Sequence, residues 1–235
     1  MSRSRNAGAG QSIQSSAVSN QAIGVFGGSF DPVHFGHLRA ALEIALTFGL
    51  DTVRLVPNHQ PPHRSAAYVS TAHRVAMLKR AIRQSDQLVL DDRELRRKGP
   101  SYTFDTLSSL RQEFGPSTPI IFALGADAFK KIDSWHRASE LLEIAHIAVL
   151  SRPGTEMNEA TARSLPFNPN WVETPQSLTT TPQGRLFKLE MTPLAISSTR
   201  IRAQISRGWS PDFLLPESVC RYIQEHGLYG LEKKQ

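Results

Sequence analysis

Near the start of the chain, Gly27-Gly28-Ser29-Phe30-Asp31-Pro32-Val33-His34-Phe35-Gly36-His37 gathers residue types suited to holding phosphate. Paired glycines let a backbone approach a ligand closely and leave N–H groups free to point at phosphate oxygens. The spacing of Leu38, Ala41, Leu42, Ala45 and Leu46 predicts an amphipathic helix from about His37 to Phe48. The N-terminal end of such a helix adds partial positive charge. His34 and His37 stand three residues apart at its mouth, with Gly36 leaving room between them. Two imidazoles so placed can donate hydrogen bonds to one phosphate group. His-x-x-His is also half of a metal site, but no third Cys, His or carboxylate stands at a supporting spacing. The G-x-G-x-x-G fingerprint of dinucleotide binding is absent.

A second candidate lies near the other end of the chain, where Ile196-Ser197-Ser198-Thr199-Arg200-Ile201-Arg202 leads into a predicted helix. Hydroxyls and free N–H groups at a helix start form an anion site, and an arginine one turn in adds charge. Ser-Ser-Thr is equally a common helix cap, so this segment alone leaves both readings open.

Both elements need a scaffold, and the pattern between them supplies one. Apolar runs at 22–28, 52–57, 88–92, 119–125, 146–151 and 185–191 predict strands. Helices are expected after Ser70, which can cap a face of Val75, Leu78 and Ile82, and over about 102–114 capped by Ser101. Others are expected over 140–145, around 198–207 and around 216–226, the last two closed by Gly208 and Gly227. This alternation predicts an α/β fold with a doubly wound, mostly parallel sheet and helices on both faces. Its central strand is expected at 119–125, the most continuous apolar run. Ligands in such sheets bind beyond the carboxyl ends of the strands. Residues 22–230 are read as a single domain with a long loop at about 154–184, rich in Pro, Thr, Asn and Ser. Residues 1–21 read as a disordered polar tail, and 231–235 as a C-terminal tail.

Composition narrows the function classes. The chain has 235 residues, 40% of them hydrophobic, enough for a core without staples. A single cysteine, Cys220, excludes an internal disulfide framework and a Cys-rich zinc site, and fits a cytoplasmic protein. No apolar run approaches the roughly 20 residues needed to cross a bilayer, so no membrane partner is expected. The +6 charge suits nucleic acid and phosphorylated metabolites equally; RELRRK at 93–98 is its one dense cluster. Oligomeric state, a homo-oligomer included, is not encoded in any feature read here.

GGSFDPVHFGH resembles the signature of the HxGH nucleotidylyltransferases, and ISSTRIR is similar to their second signature, ISSTxIR. The resemblance implies a Rossmann-like nucleotidylyltransferase fold in which His34 and His37 bind ATP phosphates and stabilise charge at the α-phosphate. It also implies that Ser198, Thr199 and Arg202 meet the β- and γ-phosphates. Further segments are similar to the bacterial nicotinate-nucleotide adenylyltransferases: PNHQPPHR (57–64), SYTFDTL (101–107), LGADAFKKIDSWHR (124–137) and SRPG (151–154). Arg64 stands where lysine is usual in that branch. The branch implies adenylyl transfer from ATP to nicotinate mononucleotide, with Mg²⁺ carried by the ATP phosphates and no nucleic-acid partner. On this reading ATP is bound by Gly27, Gly28, Ser29, Phe30, His34, His37, Gly125, Asp127, Ile196, Ser198, Thr199 and Arg202. The mononucleotide is bound by Arg64, Tyr102, Thr103, Asp127, Trp135 and Arg152, with Trp135 stacking on the pyridine ring. Among rivals, a phosphopantetheine-type acceptor branch lacks the SYTFDTL and Trp-His-Arg segments.

Overall fold

Apolar runs that end in glycine or proline become strands whose last residues open onto one edge of the sheet. The computed structural model describes residues 22–59, 67–151 and 165–230. Among them, seven strands form one sheet: β1 Ile23–Gly28, β2 Val53–Pro57, β3 Leu88–Leu90, β4 Ile120–Gly125, β5 His146–Ser151, β6 Trp171–Val172 and β7 Leu186–Glu190. Their order is β3-β2-β1-β4-β5-β7-β6, and every neighbouring pair is parallel. The α-helices are α1 Phe35–Phe48, α2 Thr71–Ile82, α3 Arg93–Arg96, α4 Thr103–Phe114, α5 Ala126–Phe129, α6 Ser198–Ile205 and α7 Glu217–His226.

Strand periodicity feeds two cores. In β4, Ile121 and Ala123 join the side that contains α1, α2, α6 and α7, while Ile120, Phe122 and Leu124 face α4 and α5. β4 is the middle strand, as its unbroken apolar run predicts. The chain moves outward through β1, β2 and β3, then crosses back to place β4 on the other side of β1. That reversal opens a crevice between the carboxyl ends of β1 and β4. Ser70 caps α2 by accepting from His73 N–H, and Gly227 ends α7 in the left-handed region at φ 60°.

Four local expectations are corrected. The stretch read as a loop over 154–184 contains β6 and a 3₁₀ turn at Pro175–Leu178; Leu178 is fully buried, an anchor that the polar composition around it conceals. Ser101 does not cap α4. Tyr102 holds the N-cap position without a side-chain bond, and the Ser101 hydroxyl instead accepts from His59 N–H at 2.9 Å. The helix expected at 140–145 is a 3₁₀ helix at Ala138–Glu143, introduced by Arg137 in the left-handed region. The strand expected at 88–92 stops at Leu90, because Asp91 and Asp92 turn the chain into α3. Arg64, Arg152, the tails 1–21 and 231–235, and the first part of the 154–184 segment lie outside the described residues. No helix among the described residues is long and apolar enough to cross a membrane.

His146, at the start of β5, is fully buried. Its Nε2 lies 2.7 Å from the Thr181 carbonyl and its Nδ1 accepts from Arg185 N–H at 3.1 Å, so the ring is neutral with the proton on Nε2. Burial pushes its pKa down from 6.5 to about 4. The unfolded chain therefore binds a proton below about pH 6.5 that the folded chain refuses until about pH 4, so stability falls as pH drops through that window. The shift corresponds to on the order of 3 kcal/mol for this group. Urea midpoints measured from pH 7 to pH 4 should fall steeply in the natural protein and less steeply in His146→Gln; parallel curves would show that His146 takes no part.

Candidate active site

The first strand-to-helix turn builds a compact cradle around its own two histidines. His34 is the N-cap of α1 in an extended conformation, and its Nδ1 accepts from the His37 N–H at 3.3 Å. An accepting Nδ1 carries no proton, which leaves Nε2–H as the donor of a neutral ring. Burial pushes the His34 pKa down to about 4, so this form persists at neutral pH. The His37 ring stacks on His34 with centroids 3.7 Å apart and meets the edge of Phe30 at 5.1 Å. Phe30 itself is 1% exposed, with φ 49°. Its ring is therefore a buried support for His37, and only its backbone is placed near the turn. A β-carbon at Gly36 would stand 3.0 Å from the His34 ring and 3.5 Å from the Ile196 carbonyl, which gives the glycine between the two histidines a steric reason.

That last contact shows that the second element arrives beside the first. Ser197 caps α6, accepting from Arg200 N–H. The Ser198 hydroxyl donates to the Pro32 carbonyl at 2.9 Å, and Arg202 Nη1 donates to the Asp31 carbonyl at 2.6 Å. Arg202 Nη2 also reaches Thr199 Oγ1 at 3.4 Å, and its guanidinium lies 4.1 Å from the Tyr68 ring centroid. The N-terminal ends of α1 and α6, far apart in sequence, are thus fastened together through the Asp31–Pro32 backbone. The Asp31 carboxylate is 3% exposed and accepts from Tyr68 N–H and the Tyr229 hydroxyl, both at 2.7 Å. Burial and the Asp31 charge push the Tyr229 phenol well above its usual range, so it remains a donor.

Beside this junction, a cavity of about 620 Å³ opens along the ends of β1, β2 and β4. Gly27, Gly28, Gly125 and Asp127 line it on one side; Tyr102, Thr103 and Trp135 line it on the other. Trp135 is half-buried and meets Phe122 edge-on at 6.3 Å, so one part of its ring packs on the core while another borders the cavity. Ser29 sits at the junction, its hydroxyl accepting from Asn58 at 3.4 Å. A smaller hollow of about 160 Å³ lies on the α1 side, between Gly36, Leu150, Met191 and Leu194. Glu43 on α1 holds the lining residue Thr192 from behind: its carboxylate accepts from the Thr192 N–H at 3.0 Å and from the Thr192 hydroxyl, with Arg39 alongside.

Several supporting residues are not marked by any sequence motif. Arg74, 1% exposed on α2, donates to the carbonyls of Ser29 and Asn58, each at 2.7 Å, and to Thr71 Oγ1 at 3.0 Å. Burial pulls its pKa below the usual value while Asp31 and Tyr229 oppose that. Asp31 lay inside a quoted motif, but Arg74, Glu43 and Tyr229 sit in ordinary amphipathic or terminal sequence. Within the basic cluster at 93–98, Arg93 pairs with Asp91 and Glu113 and Arg96 with Asp92, while Arg97 donates to the neutral Thr106 hydroxyl.

A family profile described as Cytidylyltransferase-like matches residues 25–204. The chain belongs to this family. Within it, a Pseudomonas paraeruginosa protein named "Probable nicotinate-nucleotide adenylyltransferase" is 45% identical over 207 residues, covering 88% of this chain and 96% of that one. A Hahella chejuensis protein of the same name is 44% identical over 209 residues, covering 88% and 95%. Among solved structures, the Plasmodium falciparum nicotinic acid mononucleotide adenylyltransferase complexed with NaAD superposes with a TM-score of 0.70 at 19% identity, covering 91% of this chain and 100% of that one. At that identity the likeness is one of fold.

Crowding at Gly36 yields a direct test of the cradle. Gly36→Ala should displace the His34 ring and lower turnover roughly 10- to 100-fold, as sub-ångström misplacement of catalytic groups does. Thermal melting should stay close to that of the natural protein. Undiminished turnover in the variant would show that the ring can give way without consequence.

Proposed function

We propose that this chain transfers the adenylyl group of ATP to nicotinate mononucleotide, forming nicotinate adenine dinucleotide and pyrophosphate, as the names of its relatives state for them. The observation that carries this reading is the fastening of two helix N-termini and two histidines at the edge of a cavity with aromatic walls.

In this assignment the larger cavity takes the mononucleotide. Trp135 stacks on the pyridine ring, and the N–H groups at the start of α4, which no side chain caps, receive the nicotinate carboxylate beside Tyr102 and Thr103. Asp127, exposed at the carboxyl end of β4, bonds ribose hydroxyls; Gly125 leaves the backbone open there. Arg64 and Arg152 are proposed to meet the mononucleotide phosphate on the strength of sequence alone. ATP lies across Gly27, Gly28 and Ser29 with its adenine toward the smaller apolar hollow beside Ile196. Its phosphates face the first turns of α1 and α6, where Thr199, Arg202 and the backbone of Ser198 offer donors. The Ser198 hydroxyl proton is already given to Pro32, which leaves its N–H for this task.

The reaction needs no covalent nucleophile. An ionised phosphate oxygen of the mononucleotide attacks the α-phosphorus in line and pyrophosphate leaves, so catalysis consists of positioning and charge stabilisation. His34, neutral, donates through Nε2, and His37 donates to the oxygens on which charge accumulates. Mg²⁺ carried by the triphosphate would supply charge neutralisation there, and no cluster of His, Cys, Asp or Glu suited to hold a metal stands among the described residues. The Asp31 carboxylate does not fit as its ligand, since it is 3% exposed and turned to Tyr68 N–H and the Tyr229 hydroxyl inside the protein. Pairing of Arg93 and Arg96 with Asp91, Asp92 and Glu113 reduces the net charge of the 93–98 cluster, which supports metabolite phosphates over nucleic acid as the target of the basic excess. A reducing, cytoplasmic setting fits the single buried cysteine.

Pyrophosphate release with ATP and Mg²⁺ should be much faster with nicotinate mononucleotide than with nicotinamide mononucleotide or phosphopantetheine. Release with none of the three would sink the assignment. His37→Ala should lower kcat by about 10²–10³, the usual effect of losing one pre-organised donor. Trp135→Ala should raise KM for the mononucleotide well above any change in KM for ATP; equal changes would contradict stacking.

A further inference from the structure

One acidic side chain in the wall of the larger cavity has no role in the assignment above. Glu94, on α3, is 8% exposed and borders the cavity with Tyr102, Thr103 and Trp135. A buried carboxylate in a pocket meant for a doubly anionic ligand needs a reason, because burial penalises its charge and a second anion nearby penalises it further. Its hydrogen bonds supply that reason. Oε1 accepts from Thr106 Oγ1 at 2.7 Å, and the Ser101 hydroxyl also bonds the carboxyl group. Thr106 Oγ1 in turn accepts from Arg97 Nη2 at 2.7 Å.

Ser101 and Thr106 lie on either side of the start of α4. Ser101 precedes the N-cap residue Tyr102, and Thr106 is one turn in, its N–H donating to the Tyr102 carbonyl at 3.2 Å. Ser101 Oγ also accepts from His59 N–H, which ties the same point to the end of β2. Glu94 therefore grips the first turn of α4 from both sides. It does so through hydroxyls, and among the described residues no side chain caps the N–H groups of that turn. Burial pushes its carboxyl up from the ordinary range, while Thr106, Ser101 and Arg97 hold it down.

Resting on the assignment of the larger cavity to the mononucleotide, we infer that Glu94 is the positioning residue of that subsite. It braces Ser101 and Thr106 so that the N–H groups at the start of α4 stand fixed for the pyridine carboxylate. A carboxylate brings only acceptors to those donors, whereas a carboxamide brings two N–H groups of its own. Rigid donors therefore favour the acid over the amide, and this discrimination is the first property to suffer when the brace is loosened.

The test uses the full chain and pyrophosphate release, with ATP, nicotinate mononucleotide and nicotinamide mononucleotide each varied. Glu94→Ala should raise KM for nicotinate mononucleotide about tenfold or more, leave KM for ATP within about twofold, and lower the acid-over-amide ratio of kcat/KM. Glu94→Gln keeps an acceptor for Thr106 and should recover most of the ratio. Thr106→Val, which removes the shared hydroxyl, should reproduce the alanine effect and serves in its place if Glu94→Ala does not fold. An unchanged acid-over-amide ratio in folded Glu94→Ala or Thr106→Val overturns the inference, as does an equal rise in KM for both substrates. A natural protein inactive with nicotinate mononucleotide would instead overturn the assignment on which the inference rests.

Discussion

The site depends on a buried negative charge that joins distant parts of the chain. Asp31 lies between the two glycines and the two histidines, and its carboxylate is nearly sealed from solvent. Such a charge is tolerable only when its lone pairs are satisfied and positive charge stands near. Tyr68 N–H and the Tyr229 hydroxyl meet the first need; Arg74 and Arg202 meet the second. Each partner comes from a different element, so meeting Asp31's requirements also fixes α2, α6 and the end of the chain around the turn that carries His34. Arg74 extends the arrangement by holding the Ser29 and Asn58 carbonyls, which set the ends of β1 and β2 against each other. The turn that carries His34 and the start of α6 are therefore held together by the protein's own bonds, the kind of pre-organisation that electrostatic catalysis requires.

The two proposed substrate pockets are built on a common plan. At the smaller hollow, Glu43 on α1 holds Thr192 by its N–H and hydroxyl. At the larger cavity, Glu94 holds Ser101 and Thr106. In both cases a mostly buried carboxylate pins the chain on its way into a helix, Thr192 in the β7–α6 connection and Ser101 and Thr106 around the start of α4. Such segments have surplus N–H groups and little regular structure of their own. Multiple hydrogen bonds to one ionisable group limit the ways in which the segment can move.

The framework was readable in the sequence because it rests on periodicity. Continuous apolar runs at 22–28 and 119–125 can be satisfied only by strands covered on both faces, and β1 and β4 are just that. The two segments proposed to hold phosphate stand out as short, unusual combinations of Gly, His, Ser and Arg, and the fold brings them together. Side chains that act at a distance in sequence were not readable. Arg74 and Glu43 occur where an amphipathic helix ordinarily shows its solvated face, and nothing local indicates that their partners are Ser29 and Thr192. Leu178 and β6 were hidden for a related reason: a two-residue strand flanked by Pro, Thr and Ser carries too few alternations to register. The Ser101 expectation failed because a hydroxyl before a helix has more than one N–H within reach, and His59, 42 positions away, claims it.

The Tyr229 contact with Asp31 also bears on the order in which the enzyme becomes competent during synthesis. Every strand of the sheet leaves the ribosome before residue 229 does, so the scaffold can assemble while the Asp31 carboxylate still lacks one of its two donors. Domains tend to fold as units as they emerge. Here the bonds around Asp31 are completed by the 3₁₀ turn Leu228–Gly230, which follows every strand of the sheet in sequence and folds back onto the loop after β1. Nascent chains that have not yet reached residue 229 would thus hold Asp31 with one donor of two, and its buried charge would be satisfied only once that residue has emerged.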